Sequence, residues 1–217
     1  MQRREFSALL GLTALPTLSL AQGQAPVEGR QFLRLSPPQP QPAGKIEVLE
    51  FFLYTCPHCF AFDPSLLQWQ RQLPPDVVFR RVHGGFNAIT KLLQRLYFTL
   101  EALGKLPELH ERVFAAIHVE RVDLSSEDEI FKLMGRFGQD VAKFKLAFNS
   151  FGVQSKCLAA DKLSENYHIE SVPTVCVGGR FVTSPSMAGT RGMSDVQAGQ
   201  ATIPVVNQLI QMVRNKA

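Results

Sequence analysis

The chain has 217 residues, a formal net charge of +4, 45% hydrophobic and 19% charged residues. That is enough apolar material for a packed core and excludes wholesale disorder. The basic residues are scattered rather than massed in a stripe, which argues against a nucleic-acid binder and leaves most of them as a solvated surface.

In chain order, the first feature is an address. Arg3 and Arg4 precede an uncharged apolar stretch, Ser7 to Leu20, and Ser19-Leu20-Ala21 offers the small residues of a cleavage site after Ala21. The stretch is too short to span a bilayer comfortably. Arg3-Arg4-Glu5-Phe6 resembles a twin-arginine export signal, but Ser7 and Ala8 depart from that pattern. The general secretory and twin-arginine routes therefore both stay open, and the bland alternative is an amphipathic first helix. Residues 1–21 are expected to be a signal peptide, and the exported chain keeps four cysteines, Cys56, Cys59, Cys157 and Cys176. Residues 22–44 form a proline-rich lead, with a short edge strand expected within Gln31 to Leu35.

Ile46 to Leu53, "IEVLEFFL", is almost continuously apolar and predicts a strand buried on both faces. Cys56 to Leu73 has helical spacing, with Phe60, Leu66, Leu67 and Leu73 inward, Pro57 in the first turn and a kink expected at Pro64. Val77 to Val82 predicts a second strand. From Ala88 to about Phe151 the pattern is helical throughout. Four helices are expected there, the third capped at Ser125 or Ser126 with Asp128 or Glu129 closing a box, the fourth capped by Asp140 and ended by Gly152. Gln154 to Tyr167 predicts a fifth helix. Thr174 to Val177 and Arg180 to Thr183 predict a hairpin turning at Gly178-Gly179, and Ile203 to Lys216 a closing helix. The order is β-α-β, helices, then α-β-β-α. The expected division is a core of residues 45–87 and 152–217 interrupted by a helical insertion at residues 88–151.

The chemistry concentrates at Cys56-Pro57-His58-Cys59, where a strand becomes a helix. A helix N-terminus presents unpaired N–H groups and partial positive charge, both favouring a thiolate at Cys56. His58 adds a second favourable influence, and the spacing lets Cys59 close a disulfide on Cys56. A thiolate stabilised in this way leaves readily, so the disulfide it forms is easily broken. Zinc ribbons use the same spacing, but Cys157 and Cys176 do not make a second knuckle, so no metal is expected. A purely structural staple would restrain little chain. Pro173 is natural at the first residue of a strand; the sharper reading is a cis Val172–Pro173 bond held against the cysteine pair. Cys157, on the fifth helix, and Cys176, on the following strand, are expected to form a second disulfide, the alternative being two buried thiols. His83, His110, His118 and His168 read as surface or satisfied core histidines, and Trp69 as half-buried. Phe52, Tyr54, Phe60 and Phe62 surround the cysteine pair, mostly as core; any left exposed would offer an apolar platform to unfolded clients.

The element order, with the cysteine pair after the first strand and a proline before the hairpin, resembles the thioredoxin fold. More narrowly, "VLEFFLYTCPHC", the helical insertion and "SVPTVCVGGRFV" resemble the DsbA family, periplasmic thiol:disulfide oxidoreductases of Gram-negative bacteria. The similarity runs from about Gln31 to Lys216, and the Pro-His dipeptide between the cysteines is that family's choice. It implies an α/β, thioredoxin-like fold with an all-helical insertion. It implies that Cys56 is the sulfur clients attack and Cys59 its buried partner, with Pro57 and His58 tuning the thiolate. Pro173 would be the cis proline and Val172 a substrate contact. Glu50 would be a buried acid that ferries the proton of Cys59. An acidic thiol and an oxidising disulfide come from the resemblance too. So do the expected partners, which are unfolded cysteine-containing clients and a DsbB-like quinone-linked membrane oxidase. No cofactor beyond the cysteine pair, a monomer and a periplasmic location are expected. Two alternatives stay open: a reductase or isomerase kept reduced, and a thiol-dependent chaperone or metal carrier.

Overall fold

The computed structural model describes residues 25–215, so the expected leader lies outside the described residues. Five strands make one sheet: β1 (Leu33–Arg34), β2 (Ile46–Phe52), β3 (Val77–His83), β4 (Thr174–Val177) and β5 (Phe181–Thr183), in the order β1-β5-β4-β2-β3. β2 and β3 are parallel, joined by the crossover helix α1 (Pro57–Gln70). β4 runs antiparallel to both β2 and β5, and β1 closes the edge against β5. β2 is central, and its near-continuous apolar run is what a strand covered on both faces requires.

Period-two alternation sends Val48 to one layer and Leu49 and Phe51 to the other. On the first side, Phe62, Leu66 and Trp69 of α1 meet Val205, Val206, Leu209 and Ile210 of the last helix of the chain. On the second lie four consecutive helices, α2 (Ala88–Ala102), α3 (Leu106–His118), α4 (Glu127–Arg136) and α5 (Val141–Phe148), with α6 (Phe151–Asn166) after them. A short α7 (Pro185–Ala188) precedes α8 (Asp195–Arg214).

Local signals account for most boundaries. Asn87 and Thr90 form a reciprocal capping box on α2, Ser126 caps α4 and Asp140 caps α5. Gly178 and Gly179 both have positive φ, 57° and 60°, the conformation a two-residue hairpin needs. Three expectations shift. Ser150 caps α6, which therefore starts at Phe151, and Gly152 lies in its first turn rather than past the end of α5. α8 starts at Asp195, with a Ser194–Gln197 capping box, and continues through Pro204. Trp69 is 7% exposed rather than half-buried, its indole N–H donating to Asn207 Oδ1 at 2.8 Å.

Candidate active site

β2 ends in a tight turn in which the Cys56 N–H donates to the Leu53 carbonyl at 3.1 Å. This places Cys56 at the N-cap of α1 in extended conformation, with Pro57 in the first turn. The Cys59 N–H then points at Cys56 Sγ, 3.4 Å away. Cys56 is partly exposed and Cys59 fully buried, both as thiols. The two sulfurs are pushed in opposite directions. The hydrogen bond from Cys59, reinforced by the backbone N–H groups of Cys59 and His58, lowers Cys56 to about 6 against the opposing effect of burial. Burial, followed by the Cys56 interaction, raises Cys59 far above the ordinary thiol range. The pair therefore has one sulfur suited to carrying charge and one suited to carrying a proton.

Val172–Pro173 lies across from the pair. Its peptide is cis, and the Val172 carbonyl faces Cys56 Sγ at 3.5 Å. A cleft of about 420 Å³ opens beside it, lined by His58, Val172, Pro173, Arg191, Met193 and Asp195 among others. His58 Nδ1 is 3.0 Å from Asp195 Oδ2, both side chains exposed, so the contact orients the imidazole more than it stabilises the fold. Phe52, Tyr54 and Phe62 are fully buried and only Phe60 of that group is partly exposed, so the apolar surface of the cleft comes mainly from exposed Met193 and partly exposed Val172, with Pro173 buried at its wall.

Glu50 is 1% exposed. It sits in β2 directly beside Arg81 of β3, whose Nε donates to Glu50 Oε2 at 2.9 Å and whose Nη2 donates to Asp63 Oδ1 at 2.7 Å. Burial raises Glu50 to about 8, with Arg81 pulling the other way, so its carboxyl keeps its proton near neutrality. An ionised Glu50 in turn pushes Cys59 higher, which ties the two proton sites together.

The expected Cys157–Cys176 disulfide is absent, since both residues are unbonded thiols. The register of α6 explains why. The end of that helix, at Tyr167, lies near Cys176, whereas Cys157 is ten residues, or about 15 Å of helix, away and next to Asp161 and Arg95. A disulfide tolerates no more than about 7 Å between Cα atoms.

Sequence reasoning misses Asp63 and Arg81 as site residues, and reads Tyr54 only as core and His110 only as a surface or satisfied core histidine. Faint signals existed. Asp63 falls four residues after Cys59 on the inward face of α1, and His110 four before Phe114 on the inward face of α3. Among the described residues, no three His, Cys, Asp or Glu side chains are grouped to hold a metal ion, and no helix is long and apolar enough to cross a membrane.

Comparison with known proteins agrees with this geometry. The DSBA-like thioredoxin domain family matches residues 77–196, more than half the chain. The thiol:disulfide interchange protein DsbA of Bordetella parapertussis is 43% identical over 216 residues, 99% of this chain and all of that protein. Its counterpart in Pseudomonas aeruginosa is 36% identical over 191 residues, 87% of this chain and 90% of the relative. The crystal structure of Pseudomonas aeruginosa DsbA superposes with a TM-score of 0.80 at 34% identity, covering 88% of this chain and 95% of that one. The reduced DsbA1 of Neisseria meningitidis gives 0.74 at 26% identity over 89% and 98%.

Proposed function

The chain belongs to the DsbA family of thiol:disulfide interchange proteins, and from that premise we propose that Cys56 is the sulfur its clients meet and Glu50 the acid that serves Cys59. The activity is thiol–disulfide exchange with substrate proteins, run as a dithiol oxidase, and the cysteine pair does the chemistry with no added cofactor. In the oxidised protein a client thiolate, seated in the cleft beside Val172 and Pro173, attacks Cys56 Sγ. The client–Cys56 bond forms, the Cys56–Cys59 bond breaks, and its electron pair goes to Cys59. A buried thiolate is strongly disfavoured there, so Cys59 takes the proton Glu50 holds at neutral pH. A second client thiolate attacks the client sulfur of the mixed disulfide. Cys56 leaves as a stabilised anion, the client gains a disulfide, and the protein is left reduced by two electrons.

The observation that carries this reading is the asymmetry of the pair: Cys56, partly exposed at a helix N-cap, is lowered to about 6, while Cys59 is buried. An ordinary thiol would leave less readily and the exchange would lose its direction. His58 and Pro57 shape the same helix end. Export to the periplasm behind residues 1–21, action as a monomer, and reoxidation by a DsbB-like quinone-linked membrane oxidase complete the proposal. The test is direct. Oxidised protein should introduce disulfides into a reduced, unfolded substrate, and Cys56→Ser should lose that activity entirely. Turnover persisting in Cys56→Ser, or a redox equilibrium with glutathione as reducing as thioredoxin's, would overturn the oxidase reading.

A further inference from the structure

The hydrogen-bonded network that starts at Glu50 does not end at Asp63. His110 Nε2 lies 3.2 Å from the same Asp63 Oδ1 that accepts from Arg81, and His110 Nδ1 lies 2.9 Å from the Tyr54 hydroxyl. A carboxylate can only accept, so Nε2 carries the hydrogen and donates to Asp63. Nδ1 is then the acceptor and Tyr54 O–H the donor. The donors converge on Asp63 from both sides: Tyr54 O–H donates to His110 and His110 N–H to Asp63, while Arg81 donates one N–H to Asp63 and another to Glu50. Burial favours the forms this requires, the neutral imidazole and the protonated phenol. Tyr54 and His110 are 0% and 6% exposed and packed edge-on against Phe52, so neither has an alternative partner in water.

We propose that Tyr54 and His110 are positioning residues for the proton step at Cys59, acting by satisfying Asp63 so that Arg81 stays against Glu50. The inference rests on the reading of Glu50 as the acid that protonates Cys59. When Glu50 gives up its proton to the departing Cys59 thiolate, it becomes a carboxylate in a dry site, and Arg81 is the cation that faces it. Asp63 competes for the same guanidinium. The His110 N–H meets part of that demand from the other side. Without it, Asp63 draws Arg81 toward itself, the Glu50 carboxylate loses support, and Glu50 becomes a weaker acid. The charged and titratable groups that face Glu50 are Arg81 from β3, Asp63, Cys56 and Cys59 from α1 and its cap, and Tyr97 from α2. Those facing His110 are Asp63 from α1, Tyr54 after β2, Arg81 and His83 from β3, Tyr97 from α2 and Glu111 on its own helix.

The experiment follows the Glu50 carboxyl carbon by NMR through a pH titration of the reduced full chain with labelled glutamate, its resonance identified by loss in Glu50→Gln. The wild-type midpoint should lie at about 8. In Tyr54→Phe, which removes only the hydroxyl, and in His110→Leu it should rise by about one pH unit, the size of a lost hydrogen bond to a charged network. His110→Gln, whose amide can donate from near the Nε2 position, should return toward wild type. Formation of the mixed disulfide with a reduced peptide should slow roughly threefold in the first two variants, as expected for a weaker general acid. Should Glu50→Gln slow that step while Tyr54→Phe leaves the midpoint in place, the positioning role is wrong and Glu50 keeps its part. Should Glu50→Gln leave the step untouched, the reading of Glu50 fails and takes this inference with it.

Discussion

At the scale of single residues, burial sets two opposite pH dependences inside one core. His83 is fully buried and neutral, its Nδ1 on the Gly84 carbonyl at 2.8 Å and its Nε2 accepting from the Tyr54 N–H at 3.1 Å. Its pKa is held down to about 3 from 6.5, so the unfolded chain binds the extra proton between those values. The stability contributed by neutral His83 is complete above 6.5 and is lost as pH falls toward 3. Glu50 is the mirror image. Its pKa stands at about 8 against an ordinary 4.5, so the folded chain keeps a proton that unfolding releases. Its contribution is complete below 4.5 and is lost as pH rises through 8. Denaturant unfolding of reduced wild type and Glu50→Gln at several pH values checks this. The variant's stability relative to wild type should improve steadily across that window, and parallel curves would refute the assignment.

At the scale of elements, the readable parts of the chain are those whose physics is local. β2 is legible because an unbroken apolar run is what a doubly covered strand must have, and the hairpin because Gly178-Gly179 sits between two β-rich runs. The first half of α8 was not. Residues 195–202 carry no apolar stripe, because part of that segment packs by close approach: a Cβ on Gly199 would come within 2.9 Å of the Phe62 ring. Two substitutions probe these elements. Gly179→Ala combines a positive φ with collision against the Gln39 carbonyl, and should destabilise by at least about 1–3 kcal/mol in urea unfolding. Ser194→Ala removes the acceptor for the Gln197 N–H at the start of α8 and should cost about 1 kcal/mol. A neutral result at Gly179 would mean that the turn is not held in this conformation.

At the scale of the whole molecule, the site is partly local and partly assembled. Cys56, Pro57, His58 and Cys59 are contiguous, so their chemistry could be read from spacing and a helix start. Glu50, Asp63, Arg81, His110 and Tyr54 come together only through the parallel register that sets Glu50 beside Arg81 and the packing of α1 and α3. No window of sequence carries that. The misplaced Cys157–Cys176 bond failed for the same reason, since it depended on where along α6 the helix crosses β4. The fold as a whole also couples to redox state. Because folding holds Cys56 at about 6 instead of the ordinary 9, the reduced protein gains stability from the thiolate that the disulfide form cannot. Thermal unfolding at neutral pH should therefore show the reduced form melting higher than the oxidised. The gap should shrink as pH falls through 6, and a gap indifferent to pH would show that the thiolate is not its source.

All of this turns on how readily one sulfur carries a negative charge. The ultraviolet absorbance of thiolate in the reduced protein, followed against pH and compared with Cys56→Ser, measures it. The geometry predicts a transition with a midpoint of about 6 that disappears in the variant. A Cys56 transition near the free-thiol value of about 8.5 would contradict the account.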